Sequence, residues 1–333
     1  MLDTSLWPLI LVVILAVGFG FTNGLNDAAN AIAAAVGTRA LSPRSAVLLA
    51  SIFNFAGAAT GLEVARTIGK GIITPETISY VTVIAALASV ITWTGLATYR
   101  GLPVSLTHGF IAALASAGMA VGGSEAVIWS VMGRVLTAVV SAPALGFVGG
   151  FVVMVWLYWI FRKSAPDKMR RVFSKLQIPV AAFTAYAHGK NDGQMPIGVI
   201  TMAMVIFSKD TSLWDRIPWW IIIISALAIS SGMAIGGQRV IKTLGMKVAT
   251  LRPVHGFAAQ ASAATVIEIA SHLGIPVSTT HCISSAIMGV GSTLRFSAVR
   301  WGVAGNIVAA WVLTFPICGA LGYFFAWLLH TML

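Results

Sequence analysis

Long apolar runs alternate along the chain with short polar connections. Most runs are close to the length of about 20 residues that a helix needs to cross a bilayer. Five runs lie in the first half of the chain, and the second half mirrors them. The predicted elements are residues 6–37, 45–63, 77–98, 104–121 and 126–161, followed by residues 178–207, 217–237, 254–273, 277–292 and 301–329. This pattern predicts an all-α polytopic membrane protein.

Several short signatures occur twice in the same order, which indicates a tandem duplication. The pairs are Gly24-Leu-Asn-Asp27 with Gly189-Lys-Asn-Asp192, Gly61–Gly69 with Gly237–Gly245, Pro103–His108 with Pro276–His281, and Trp129–Gly146 with Trp301–Gly319. We therefore predict a first transmembrane repeat at residues 1–161, a basic cytoplasmic linker at residues 162–175 and a second repeat at residues 176–333. An odd number of elements per repeat requires the two repeats to be inverted relative to each other, as in many secondary transporters.

Prolines leave two alternatives open in this layout. Pro103 and Pro276 each begin a short run that is rich in Ser, Thr and Gly, and these runs fit re-entrant hairpins as well as they fit crossings. Residues 126–161 contain Pro143 and fit two shorter crossings as well as one long element.

Composition agrees with a membrane protein that lacks a soluble domain. Apolar residues make up 58% of the chain and charged residues 9%, whereas charged residues are about 25% of a typical soluble domain. Most of the 21 lysines and arginines fall in loops that are cytoplasmic if the N-terminus is outside. We therefore predict a multi-pass protein of the cell membrane with both termini outside and no nucleic-acid partner, despite the net charge of +11.

Two aspartates lie inside apolar runs, where an ionisable residue is costly and indicates a functional site. Carboxylate and amide oxygens suit a small hard cation such as Na⁺, or a single proton on the aspartate. The neighbouring glycines allow close backbone approach or a break in the helix. The alternative is that the polar groups only join neighbouring helices. The candidate cation-binding residues are Asn23, Asn26, Asp27, Asn30, Asn191 and Asp192, with Asp27 and Asp192 as the metal ligands if the ion is Na⁺.

The duplicated Pro-Val-Ser-x-Thr-His signature predicts a site for a tetrahedral oxyanion. Proline marks a helix start, and the Ser and Thr hydroxyls then lie at the positive end of the helix dipole. On its own the signature is equally typical of ordinary helix caps. The candidate anion-binding residues are Ser105, Thr107, Ser278, Thr279 and Thr280. His108, His188 and His281 adjoin these motifs without the close spacing of a helical metal site, so we interpret them as hydrogen-bonding positions.

With these motifs the chain resembles the inorganic phosphate transporter (PiT) family over almost its whole length. The paired Asn-Asp and Pro-Val-Ser-x-Thr-His signatures carry the resemblance. It implies two inverted repeats, import of phosphate by symport with Na⁺ or H⁺ and a homodimer, with no cofactor and no enzymatic activity. It also implies that Asp27 and Asp192 with their neighbouring amides bind the coupling cation, and that the Ser/Thr loops bind phosphate.

The second motif departs from the first in two ways. Met195 stands opposite Asn30, so the second site lacks one amide and the two cation sites differ. Lys190 stands where the family has a small residue. Its ammonium either acts as a tethered cation beside Asp192 or extends away from it on the long side chain.

The sequence leaves two alternatives to phosphate transport. An intramembrane aspartyl protease also uses two aspartates, but it needs them to share a proton and gives the Ser/Thr loops no role. A symporter for sulfate or another tetrahedral oxyanion is the closer alternative, because Ser and Thr hydroxyls either donate or accept.

Overall fold

The computed structural model describes residues 5–235 and 238–332. The described residues form thirteen α-helices, and their only extended pairing is two isolated β-bridges, Ile73 with Val127 and Ala249 with Val299. The helices are α1 (Leu6–Gly37), α2 (Pro43–Ala58), α3 (Glu63–Lys70), α4 (Tyr80–Arg100), α5 (Leu106–Gly122), α6 (Trp129–Phe161), α7 (Pro166–Asp192), α8 (Gln194–Ser208), α9 (Trp219–Ile235), α10 (Gln238–Lys242), α11 (Pro253–His272), α12 (Thr279–Ser292) and α13 (Trp301–Met332).

Each of the ten predicted elements corresponds to one helix or to two successive helices. The element at 45–63 corresponds to α2, and the helix that follows it, α3, begins only at Glu63 and is bent by 67° from α2. The element at 217–237 corresponds to α9, and the helical segment that follows it, α10 with the π-helical turn Thr243–Lys247, is bent by 62° from α9. Gly237, which opens the second copy of one signature and ends this predicted element, lies outside the described residues. The element at 178–207 divides into α7 and α8 at Gly193.

Four helices, α1, α4, α6 and α13, are individually long and apolar enough to cross a membrane, and so is each of the two bent pairs taken as a unit. The structure therefore confirms a helical, multi-pass membrane fold. Pro143 lies inside the continuous 33-residue helix α6, so the alternative of two shorter crossings at residues 126–161 is wrong.

The helices that follow Pro103 and Pro276 are short. Helix α5 has 17 residues and α12 has 14, both below the length of about 20 that spans a bilayer. Each is preceded by a non-helical segment, residues 102–105 and 275–278. These lengths favour the re-entrant alternative for both elements.

The expected linker at residues 162–175 is largely helical. Helix α6 ends at Phe161 and α7 begins at Pro166, where proline is favoured because the first helical position needs no N–H donor. Most of the basic segment therefore forms the first turns of α7, while Arg162 and Lys163 lie in the short connection before it.

The two halves repeat local geometry as well as sequence. Helices α4 and α11 are each followed by a glycine with positive φ, Gly101 at 70° and Gly274 at 66°. Trp129 and Trp301 each donate the indole N–H to the carbonyl five residues upstream, at 3.1 and 2.8 Å. The equivalent features follow the same order in both halves. The structure is therefore compatible with two repeats, and their inversion in the membrane stays a prediction.

The halves interlock instead of packing as separate units. Helix α1 packs against α9, α2 against α7, α5 against α13 and α6 against α12. Two motif glycines allow these contacts, because a Cβ on Gly24 would overlap the Ile229 carbonyl and a Cβ on Gly189 would overlap the Asn54 carbonyl. Helix α1 runs without a break through Asp27, so the first motif glycine serves close packing and does not interrupt the helix.

Candidate cation and oxyanion site

Nearly all the predicted site residues are inside the protein. Each is at most 1% exposed, although all carry polar side chains in an apolar fold. These buried residues are Asn23, Asn26, Asp27, Asn30, Ser105, Thr107, Asn191, Asp192, Ser278, Thr279 and Thr280. Lys190 differs, since its side chain is 13% exposed.

The two carboxylates meet at the N-terminus of α12. Thr280 Oγ1 donates to Asp27 Oδ1 at 2.7 Å, and Thr279 Oγ1 donates to Asp192 Oδ2 at 3.1 Å. The two carboxyl groups are close enough to interact directly. The backbone N–H of Leu106, at the first position of α5, also points to Asp27 Oδ2 at 3.4 Å. Two short helices therefore begin at a pair of buried acids.

Two amides of α1 complete the environment of the carboxylates. Asn23 Nδ2 donates to Asp192 Oδ2 at 3.3 Å, and Asn30 Nδ2 donates to Thr280 Oγ1. The amide oxygens of both residues are buried and have no hydrogen-bond partner among the described residues. Two unpaired amide oxygens beside two carboxylates form a donor set of hard oxygens, which fits Na⁺.

The other two asparagines brace the non-helical segments before α5 and α12. Asn26 Nδ2 donates to Thr98 Oγ1 at 2.7 Å, and Asn26 Oδ1 accepts from the Val104 N–H at 3.3 Å. The Asn191 carboxamide makes the equivalent contacts with Ser271 Oγ, at 2.8 Å, and with the Val277 backbone. Asn26 and Asn191 therefore position the site, while their neighbours Asp27 and Asp192 form it.

Three of the predicted anion-binding hydroxyls do not reach the carboxylates. Ser105 and Ser278 cap their own helices, each accepting the N–H of the histidine three residues later at 3.1 Å. Thr107 Oγ1 faces Met195 Sδ at 3.3 Å. In this conformation only Thr279 and Thr280 point to the acids, and the assignment of all five residues to an anion site stays a prediction.

Lys190 extends away from Asp192. Its ammonium forms a short ion pair with Glu268 Oε1 of α11. The idea that Lys190 is a tethered cation beside Asp192 is therefore wrong, because the nearer carboxylate belongs to another helix. This ion pair joins Lys190 to Glu268, a contact that the sequence alone does not predict.

His188 was predicted to hydrogen-bond, and it does. Its Nδ1 lies 3.0 Å from Asn54 Oδ1 and its Nε2 lies 3.3 Å from Asp192 Oδ2. The same prediction is wrong for His108 and His281, whose ring nitrogens have no hydrogen-bond partner among the described residues.

Sequence reasoning missed two residues that position the site. Asn54 of α2 holds His188, and the buried Gln194 accepts the backbone N–H groups of Val64 and Ala65 at 2.9 and 3.1 Å, which caps α3. The available signal was a polar residue in an apolar helix and a glutamine two residues after Asp192. The partners lie more than 100 residues away in the sequence, so the signal did not identify them.

Comparisons with known proteins agree with this site. The sequence profile described as the Phosphate transporter family matches residues 23–169 and 161–322. A probable low-affinity inorganic phosphate transporter of Bacillus subtilis (strain 168) is 41% identical over 96% of this chain and 97% of its own length. A protein of the same description from Rhizobium meliloti (strain 1021) is 40% identical over 97% and 98% of the two chains.

A solved structure shares the fold. The structure titled "The sodium-dependent phosphate transporter" superposes with a TM-score of 0.90 at 28% sequence identity, covering 98% of this chain and all of the other. The relatives are described as transporters, not as enzymes. The profile matches, the two relatives and the common fold, together with the buried acids at the helix starts, lead to one conclusion: the chain belongs to the Phosphate transporter family.

Proposed function

We propose that the chain imports inorganic phosphate by symport with Na⁺ or H⁺, and that the coupling cation binds at Asp27 and Asp192. The observation that carries the proposal is the pair of hydroxyls at the start of α12. Thr279 and Thr280 each donate to one of the two acids, although they also lie where a helix N-terminus favours an anion.

This arrangement explains why a cation must accompany the anion. Two carboxylates without a bound cation repel phosphate, and they also occupy the two hydroxyls that would donate to it. Na⁺ ions or protons at the acids offset their negative charge and release Thr279 and Thr280 to donate to phosphate oxygens. The cation therefore binds first, and phosphate binding depends on it.

The proposed roles of the residues follow from their contacts. Asp27 and Asp192, with the unpaired oxygens of Asn23 and Asn30, bind the cation. When phosphate binds, it takes the hydroxyls of Thr279 and Thr280 and the backbone N–H groups at the starts of α5 and α12. Ser105 and Ser278 shape these helix starts, Thr107 lies beside them, and Asn26 and Asn191 hold the preceding segments.

The test is uptake into proteoliposomes of labelled phosphate or sulfate with an imposed Na⁺ or H⁺ gradient. We expect accumulation of phosphate that requires one of the two gradients and little accumulation of sulfate. Asp167→Asn is the matched control, because Asp167 is an exposed acid paired with Arg170 at 3.6 Å. If phosphate uptake is independent of both gradients, the proposal of symport is wrong. If sulfate is taken up in preference to phosphate, the proposed substrate is wrong.

The intramembrane protease has less support. Hydrogen bonds from Thr279, Thr280 and Asn23 occupy the carboxylates that a protease would need to present to a water molecule.

We further propose a homodimer in the plasma membrane with both termini outside. Cysteine labelling of each terminus in sealed cells tests this orientation, and label that enters only after permeabilisation contradicts it.

A further inference from the structure

A buried pair of histidines joins the first turn of α5 to the first turn of α12. His108 is the third residue of α5, and His281 is the third residue of α12. Their ring centroids are 4.8 Å apart in an edge-to-face arrangement. Helix α13 covers the pair, with Trp311 stacked on His281 at 4.0 Å and Phe315 5.4 Å from His108.

None of the four ring nitrogens of this pair has a hydrogen-bond partner among the described residues, and neither does Nε1 of Trp311. A neutral imidazole carries one N–H donor and one acceptor, so each ring leaves both groups unpaired inside the protein. Such groups are rare because burial without a partner costs free energy, and each requires an explanation. His255, by contrast, contacts the Tyr158 hydroxyl at 3.0 Å and the Arg252 N–H at 3.1 Å.

The surroundings favour neutral rings in this conformation and a charged ring once an anion is present. Among the described residues, Asp192 on α7 acts electrostatically on His108, and His108 acts on His281. The residues that follow the two histidines have uncharged neighbours. Gly109 packs against Val90 of α4 and Cys318 of α13, and Cys282 packs against Gly146 of α6. On α1, Asp27 is bound by Thr280, next to His281.

Phosphate at the proposed site would add negative charge close to both rings. Thr280, which the proposal assigns to phosphate, directly precedes His281, and the backbone N–H groups at the start of α5, also assigned to phosphate, lie within two residues of His108. An imidazolium at His281 also gains the face of Trp311, which attracts a cation. Only one ring becomes charged, because two adjacent imidazolium groups repel each other.

We propose that His108 and His281 form a proton-binding site, separate from the two aspartates, that takes up a proton when phosphate binds. The inference rests on the proposed phosphate site. The proton comes from the aqueous phase, a new N–H bond forms at the free lone pair of one ring, and the proton returns to water when phosphate leaves. Phosphate transport then responds to pH even where Na⁺ occupies the aspartates.

Calorimetric titration with inorganic phosphate at saturating Na⁺ tests this, with the purified protein in buffers of different ionisation enthalpy. The dependence of the measured heat on the buffer gives the number of protons taken up per phosphate bound. The double variant His108→Gln/His281→Gln should lower that number by about one relative to wild type, because the pair takes up one proton and protonation of the phosphate itself cancels in the difference. His255→Gln is the matched control and should leave it unchanged.

The result separates this inference from the proposed function. Phosphate binding with the same proton number in wild type and in the double glutamine variant overturns the histidine site and leaves the transporter proposal intact. Absence of phosphate binding in wild type overturns the transporter proposal. If the variants do not fold, ¹⁵N-histidine NMR of the wild type decides: phosphate should increase the imidazolium signal of the six histidines, and an unchanged spectrum overturns the proposal.

Discussion

The two copies of the Asn-Asp motif share a scaffold and differ in their ligands. In both copies the asparagine braces a non-helical segment, Asn26 toward Val104 and Asn191 toward Val277. The aspartates differ. Asp27 lies in the middle of a continuous helix, whereas Asp192 is the last residue of α7 before the break at Gly193.

The partners of the two acids are also unequal. Asp27 accepts from Thr280 and from the Leu106 N–H, while Asp192 accepts from Thr279 and Asn23 and lies beside His188. Both hydroxyls come from α12, because Leu106 of α5 stands at the position that corresponds to Thr279.

One further pair of equivalent contacts shows how the copies diverged. Asn30 donates to Thr280 in one copy, and Thr107 donates to the sulfur of Met195 in the other. The contact persists, but a hard amide has become a soft thioether, which is a poor ligand for Na⁺. The backbone supports are thus the same in both copies, and differences in single side chains make the proposed site asymmetric.

The largest expected effect tests whether both acids belong to one site. Asp27→Asn and Asp192→Asn should each abolish coupled uptake, because a unit charge 4 Å from a cation is worth about 4 kcal/mol at an effective dielectric of 20, about a thousandfold in affinity. Uptake in proteoliposomes is the measurement, with gel filtration to check folding and Asp167→Asn as control. If either variant still accumulates phosphate as wild type does, the assignment of that aspartate to the cation site is wrong.

The next prediction compares the hydroxyls of the two halves. Thr279→Ala and Thr280→Ala should raise the apparent KM for phosphate about tenfold to hundredfold, because a hydrogen bond to a charged group is worth about 1.5–3 kcal/mol. Thr107→Ala should change it less, since its hydroxyl faces a weak acceptor. Concentration dependence of uptake measures the difference. Equal effects of all three substitutions would show that the halves contribute equally.

Met195→Asn should reduce the asymmetry by restoring an amide to the second copy. A new amide ligand or hydrogen bond is worth about 1 kcal/mol, so the Na⁺ concentration for half-maximal uptake should fall about fivefold. Met195→Leu is the matched control because it keeps the volume and adds no polar group. A sodium response that is the same in both variants would mean that Met195 does not face the cation.

The smallest expected effect concerns the ion pair that only the second copy has. Lys190→Ala and Glu268→Gln should each change the uptake rate by about fivefold or less, the range for an ion pair that solvent partly reaches. The exchange Lys190→Glu with Glu268→Lys should recover the rate, and the sodium dependence should match wild type throughout. If Lys190→Ala alone changes the dependence of the uptake rate on Na⁺, then Lys190 belongs to the cation site.

The sequence alone determined the class of fold and the order of its elements, and it identified most of the candidate residues of the site. Apolar runs of bilayer length leave few alternatives to helices, and a carboxylate in such a run requires a function, so Asp27 and Asp192 stood out. The duplicated signatures likewise located both helix starts. These are local patterns, and local patterns can be read from one chain.

Tertiary structure alone decided which of these residues touch. The pairing of Lys190 with Glu268, of His188 with Asn54 and of Thr280 with Asp27 joins positions separated by 78, 134 and 253 residues. Hydrophobic periodicity orients a helix face but does not say which partner covers it, because an apolar surface is satisfied equally by lipid or by any apolar helix. The fold resolved that choice by interlocking the halves, and so brought both acids to the start of a single helix, α12.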